Sequence, residues 1–317
     1  MATTNFKGYN NIGEPSISES IEDNVVEYIN WGFLKLGAFY NINIPTSGNY
    51  GGDMHQLRCV NDPRYTAGQI WKSNRSNWVW ESGLGLSTNP IAISGIFVDG
   101  SFLPKGSGYY INYKSGMVVF NEAIDTTSSV QLEYSTKWID VVNADQIDWL
   151  RPTQSRSFRV DDRLYTAGSG DWNTNQIQPP IVAVESVSKT YAGYQLGGGQ
   201  YGYTDVVLHV ITEKKRTASR LASVLAEQNE SDIYMYDPGL LASQNRFPLD
   251  YRGEIASGAL CYPDLVASTG DGGFRYTNKV QHGKMTLYDS RMQDVTQLNE
   301  VYHCPVRWST EVVLHKI

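Results

Sequence analysis

The residues of this chain that could hold a metal ion are few. Its five histidines are His55, His209, His282, His303 and His315, and its three cysteines are Cys59, Cys261 and Cys304. His55 with Cys59, and adjacent His303-Cys304, would supply four soft ligands of the kind zinc takes. Structural zinc draws on closely spaced pairs, and neighbours along a strand point to opposite faces, so the spacing speaks against a shared ion. An odd number of scattered cysteines is expected as free thiols of a reducing cytoplasm.

Other candidate chemistry fails on its own terms. The run "LGGGQYGYT" (residues 196–204) lacks a Gly-Lys-Ser/Thr end and precedes a strand, whereas a phosphate cradle follows a strand and opens a helix. Asp171 and Asp271 stand among glycines without the alternating oxygen ligands of a calcium loop. Asp161-Asp162, Glu213 and Glu227 show no pairing that would suit glycoside hydrolysis, although the Trp and Tyr content would suit sugar stacking. No nucleophile elbow, metalloprotease helix or dinucleotide fingerprint is present. The reading assigns no catalytic residue, no cofactor and no metal, and expects no enzyme.

The elements that carry these residues are easier to read. The chain has 317 residues, 41% of them hydrophobic and 19% charged, enough for a substantial core in two domains or one elaborated domain. Tyrosine is abundant at 21 residues, which suits strands and contact surfaces. A net charge of −7 argues against a surface that grips nucleic acid, but not against one that DNA slides past. The first residues lack an apolar signal core and no run reaches the length of a membrane span, so a soluble chain made in the cytoplasm is expected.

The polar start, with Gly8, Gly13 and Pro15, is expected as an extended arm. In "SISESIEDNVVEYINWGFLKLG", Ser16 and Glu19 form a capping-box pair, and Lys35 and Gly37 mark the stop. Ile17, Ile21, Val25, Tyr28, Ile29, Phe33 and Leu36 make one apolar stripe. Such a stripe docks on the chain's own core, the commoner arrangement, or on a neighbouring subunit. Under the second reading Val25 and Phe33 are candidate interface residues.

A β meander is expected from Ile91 to Tyr134. Asp99-Gly100 signals one hairpin, "YYINYKSGMVVF" (residues 109–120) a second, and "SSVQLEYSTKW" a further strand. In the second hairpin Tyr109, Ile111 and Tyr113 share one face. Tyr110 and Asn112 share the other, and are the remaining interface candidates. Residues 141–178 read as irregular, and Pro179-Pro180 as a domain boundary. "DPRYTAG" at residue 62 is echoed by "DRLYTAG" at residue 162, with unlike flanks, so a recurrent turn is expected rather than a duplication.

The carboxyl third contains "YTDVVLHVIT" as a strand, "RTASRLASVLAEQ" as a helix and "SDIYMYDP" as a strand. The connection allows a parallel crossover or an open α+β sandwich. "KVQHGKMTLYD" and "PVRWSTEVVLHKI" read as two more strands. The expected fold is α+β and β-rich. It comprises an arm and amphipathic helix (1–45), a hairpin domain (46–180) and an α+β domain with a β-α-β unit (181–317).

The segment Gly95–Gly100 followed by Tyr109–Phe120 resembles a β meander of tailed-bacteriophage virion proteins, with the pattern Y-x-I-D-Y-x-x-G-x-V-x-F. Asn112 stands where that pattern has Asp. The carboxyl third resembles phage neck and tail-end proteins, where a strand such as Val206–Val210 leads to a helix and then to a segment such as Ile233–Asp237. The resemblance covers about half the chain. It implies a homo-oligomeric ring in the neck of a contractile-tailed phage, a cyanophage among the candidates. The ring would be assembled in the host cytoplasm and carried in the virion, joining the filled head to the tail. Its implied partners are copies of itself, portal-proximal and other neck or tail proteins, and genomic DNA passing without specific binding; no membrane is implied. A tail-tube or tail-terminator subunit, and a carbohydrate-binding receptor or baseplate protein, are the alternatives.

Overall fold

A computed structural model describes residues 15–44, 54–81, 89–144, 179–193, 199–267, 273–276, 280–298 and 301–314. The arm, the second Tyr-Thr-Ala-Gly copy, Asp161, Asp162, Asp171, Asp271 and the glycines of residues 197–198 lie outside them. In chain order come α1 (Ile17–Lys35), β1 (Phe39–Ile42), β2 (Gln56–Val60), β3 (Ile70–Lys72), β4 (Gly95–Val98) and β5 (Ser101–Pro104). Next are β6 (Tyr109–Asn112), β7 (Met117–Phe120), β8 (Val130–Gln131), β9 (Tyr134–Lys137) and β10 (Asp140–Asn143). The remainder is β11 (Ile181–Gly193), β12 (Gln200–Thr212), α2 (Lys215–Ala226), β13 (Ser231–Tyr234), α3 (Pro238–Ser243), α4 (Tyr262–Leu265), β14 (Val280–Met292), β15 (Thr296–Leu298) and β16 (Val301–Leu314). The fold is α+β and β-rich, as the periodicities predict.

Helix α1 starts at a reciprocal capping box. The Ser16 amide donates to Glu19 Oε2 at 2.5 Å, and the Glu19 amide donates to Ser16 Oγ at 3.2 Å. Beyond its end Gly37 takes a φ of +77°, a conformation that turns the chain out of the helix. Ile21, Val25, Ile29 and Phe33 are buried in one cluster with Val182 and Val184 of β11. Buried Asn24 fastens the helix further. Its Nδ2 donates to the carbonyls of Ser20 and Tyr236, and its Oδ1 accepts from the Tyr236 amide.

The larger sheet has the order β10-β11-β12-β16-β14-β13, with β15 also on β16. Helices α1 and α2 cover one face. Leu221 and Leu225 of α2 enter the same core as α1, and the indole of Trp308 donates to the Leu225 carbonyl at 3.0 Å. The β12-α2-β13 unit does not make a parallel crossover. Successive antiparallel pairings of β12 with β16, β16 with β14 and β14 with β13 leave β13 antiparallel to β12, with two strands between them.

β10 pairs in parallel with the start of β11, Asp140 opposite Ile181, so Pro179-Pro180 lies between two neighbouring strands of one sheet. The sheets change over near residue 139. A partner strand 41 residues away leaves no local signal, and four residues are too few to show a period.

The second sheet has the order β5-β4-β8-β2-β3-β7-β6. Both expected hairpins form. In the first, Asp99 (φ +49°) and Gly100 (φ +80°) make the doubly left-handed turn that suits the twist of paired strands. The two hairpins lie at opposite edges of the sheet, separated by β8, β2 and β3, rather than pairing in succession. "SSVQLEYSTKW" is split. β8 belongs to this sheet, whereas β9 pairs with β1. The core beneath contains Trp78, Tyr113, Leu132 and Tyr134, and Trp78 packs on Tyr134 with ring centroids 4.7 Å apart.

Candidate interaction surface

The second hairpin divides its side chains as the alternation requires. Tyr109, Ile111 and Tyr113 are buried in the hairpin sheet's core, while Tyr110 and Asn112 face the other way and are half-buried. β6 is an edge strand, and an edge strand presents unpaired amides. Part of this edge is covered by a loop 140 residues downstream. The Tyr113 amide donates to the Gly253 carbonyl at 3.0 Å, and the Ile111 amide to Glu254 Oε1 at 3.3 Å.

Asp250 shapes that loop, its Oδ1 accepting from the amides of Arg252 and Glu254, both at 2.9 Å. Gly253 has a φ of +79°, and a Cβ there would stand 2.6 Å from Asn112 Oδ1. The close approach therefore requires glycine. Asn112 Oδ1 also accepts from the Ser115 amide at 2.9 Å, so this side chain holds the hairpin turn.

The loop brings Arg252 and Tyr251 beside Tyr110. The Arg252 guanidinium lies 5.4 Å from the Tyr110 ring centroid and 5.2 Å from that of Tyr251, and its Nε donates to the Tyr251 hydroxyl at 2.8 Å. The Tyr110 and Tyr65 hydroxyls are 3.3 Å apart, one donating to the other. Burial, with the Tyr65 hydroxyl beside it, pushes the Tyr110 phenol above its ordinary pKa. Tyr251 is 89% exposed. Three tyrosines and an arginine thus form an outward cluster of the residue types that dominate protein contacts. Tyr65, Tyr251 and Arg252 carried no sequence signal as a group, since Tyr65 stands far along the chain from the adjacent pair Tyr251-Arg252.

Val25 and Phe33 lie elsewhere. Both are enclosed between α1 and the larger sheet, 0% and 6% exposed, and have almost no surface to offer a neighbour while the chain keeps this fold.

The face of the larger sheet opposite the helices carries a second polar constellation. Glu185, His209 and His303 stand on adjacent strands. His209 Nε2 is 3.1 Å from Glu185 Oε2, and its Nδ1 is 3.0 Å from His303 Nε2. Burial and the neighbouring His209 lower His303 to about 4, so it is neutral at pH 7. A His209 that donates to Glu185 accepts from His303, a carboxylate–imidazole–imidazole row. Cys304 points into the helix-covered core instead, its thiol pushed up by burial. Cys59 belongs to β2 of the hairpin sheet, and His55 to the turn just before that strand. Among the described residues no three His, Cys, Asp or Glu side chains converge as a cation would need, and all three cysteines are free.

If the Tyr110 cluster meets a second molecule, Tyr110→Ser should weaken self-association about tenfold. It should lower the melting temperature by less than about 3 °C, against about 10 °C for Ile111→Ser in the core. Sedimentation and thermal scans on the two variants test this. Equal destabilisation would make Tyr110 a packing residue and nothing more.

No known protein family matches the chain, and no curated protein matches it.

Proposed function

We propose that the chain is a structural protein of a tailed-phage virion that forms a homo-oligomeric ring in the neck, between the DNA-filled head and the tail. The observation that carries this reading is the outward Tyr65–Tyr110–Tyr251–Arg252 cluster. It is held on a stiff hairpin by a loop from a distant part of the chain. A closed ring needs two different complementary patches per subunit, and a preorganised Tyr/Arg patch suits one of them. The hairpin's resemblance to phage virion proteins supplies the class of assembly. The net charge of −7 suits a passage for DNA, because an acidic or neutral lining releases the duplex where a basic one would hold it.

Two observations favour other members of the same class. An exposed tyrosine platform also suits sugar stacking, as in a receptor or baseplate protein, and the long antiparallel strands of the larger sheet suit a tail-tube or tail-terminator subunit. Electron microscopy of lysates from a phage lacking the gene separates them. The neck reading expects filled heads and sheathed tails that are mostly unjoined. Joined particles that fail only in host attachment would establish the receptor reading, and tails that never polymerise the tube reading.

A further inference from the structure

A slot of about 640 Å³ opens among α1, α2 and α4 on the helix-covered side of the larger sheet. Trp308, Leu225 and Ile29 line it yet are only 0%, 3% and 4% exposed, whereas Leu36 is 71% exposed. The floor is apolar, built of the buried Ile29, Leu225 and Trp308, and an alkyl chain is the ligand chemistry that such a floor favours. The volume lies within the range of about 300–1,000 Å³ typical of small-ligand sites.

Two further features give the slot a ligand chemistry. Gly32 lines it from within α1, and beyond its own helix backbone no atom of the described residues stands within 4 Å of where its Cβ would be. Glycine is a poor residue for a helix interior, and no neighbouring group among the described residues fills the space it leaves. The charged lining is all of one sign. Lys35 and Arg275 line the slot and no carboxylate does among the described residues, in a chain of 33 acidic and 26 basic residues. Arg275 is held in place. Its Nε donates to the Val266 carbonyl at 2.8 Å and its guanidinium lies 4.0 Å from the Tyr234 ring centroid, with no ion pair among the described residues.

We infer that this slot binds a single-chain amphiphile with a carboxylate head. The alkyl chain lies along the apolar floor past Gly32, and the carboxylate meets Arg275, with Lys35 adding positive charge to the lining. Guanidinium groups bind carboxylates through paired, charge-assisted hydrogen bonds, which ties the head group to this end of the slot. The inference stands apart from the virion reading and holds or fails without it.

Calorimetric titration of the full chain with dodecanoate below its micelle concentration tests this, with dodecyltrimethylammonium as the same chain bearing the opposite head. One dodecanoate per chain is expected, bound at least about tenfold more tightly than the cation. Arg275→Gln should weaken binding about fivefold or more, and Lys35→Gln, at an exposed site that tolerates change, by a smaller factor. Gly32→Leu should abolish binding. Gly32→Ala should melt no lower than the parent, which guards against misreading a folding defect. Equal binding of both heads, undiminished binding by Gly32→Leu, or no heat with dodecanoate would each overturn the assignment. So would a tighter-binding acidic helical peptide that displaces dodecanoate, since the slot would then belong to a protein partner.

Discussion

Lys137→Met is expected to destabilise the fold by about 3–5 kcal/mol at pH 7, the largest effect of any single charge removal here. Lys137 Nζ lies 2.6 Å from Glu81 Oε1, and both side chains are only 4% exposed. The other oxygen of Glu81 is buried with no hydrogen-bond partner among the described residues. Half-buried Glu27 of α1 stands in the same field. Burial chiefly, then the charges of Glu81 and Asp23, raise its carboxyl from an ordinary 4.5 to about 7, and Lys137 is the one charge that opposes them. Removing the ammonium leaves Glu81 buried without its counter-charge. Urea unfolding measures the loss, and Lys137→Met with Glu81→Leu should restore most of it, because removing both partners strands neither. A single-variant loss below about 1 kcal/mol would show that water reaches the pair.

The same cluster sets a pH dependence. Between about pH 4.5 and 7 the folded chain keeps a proton on Glu27 that the unfolded chain has released. This contribution to stability is therefore full below pH 4.5, falls as pH rises through that window and levels off above 7. A shift of that size corresponds to about 3 kcal/mol when fully expressed, and partial contact with water reduces it to roughly 1–2 kcal/mol. Glu27→Gln should raise stability at pH 8 by that amount and flatten the profile. A slope unchanged in the variant would place the titration elsewhere.

The second large effect is expected at the hairpin turn. Gly116 has a φ of +65°, and a Cβ there would lie 2.5 Å from the Arg75 carbonyl oxygen and 2.8 Å from Ser76 Cα. Gly116→Val combines a strained backbone with a clash against backbone atoms that have little room to move, so a loss of about 3 kcal/mol is expected. The damage should spread. The Gly116 carbonyl accepts from the Ser73 amide and hydroxyl, and the Ser73 hydroxyl in turn accepts from the Trp78 indole at 3.1 Å. Near-ultraviolet circular dichroism should register the loosened Trp78. Gly100→Ala is the control. Its φ of +80° is equally unusual but the space beside it is open, so only about 1 kcal/mol should be lost. Equal losses at both sites would leave strain alone as the cause.

The residues of the hairpin show how far sequence reasoning reached. Alternation placed Tyr109, Ile111 and Tyr113 on the buried face, because successive strand side chains point to opposite sides whatever the partner strand. It placed Tyr110 and Asn112 opposite them, but could not show that Asn112 holds its own turn or that Tyr110 adjoins Arg252. Those contacts depend on a loop that is distant in sequence. Val25 and Phe33 were legible as one helical stripe, while the surface that the stripe meets was not. Arg275 and Gly32 had no visible connection at all.

The sequence by itself determined the local elements: the capped helix, the two hairpins, the long strands of the carboxyl third and their order. Each follows from interactions within a few residues, where the chain's own period and turn chemistry decide the outcome. Only the tertiary structure decided which edges meet. It put β10 beside β11, separated the hairpins by β8, β2 and β3, and sent β13 to the far side of the larger sheet. It alone gathered Glu27, Glu81 and Lys137 into one buried cluster, the three tyrosines around Arg252, and two unopposed cations beside an apolar slot. These arrangements join residues tens to hundreds of positions apart. Their energies come from burial and charge in a shared environment, and that environment does not exist until the chain has closed around it.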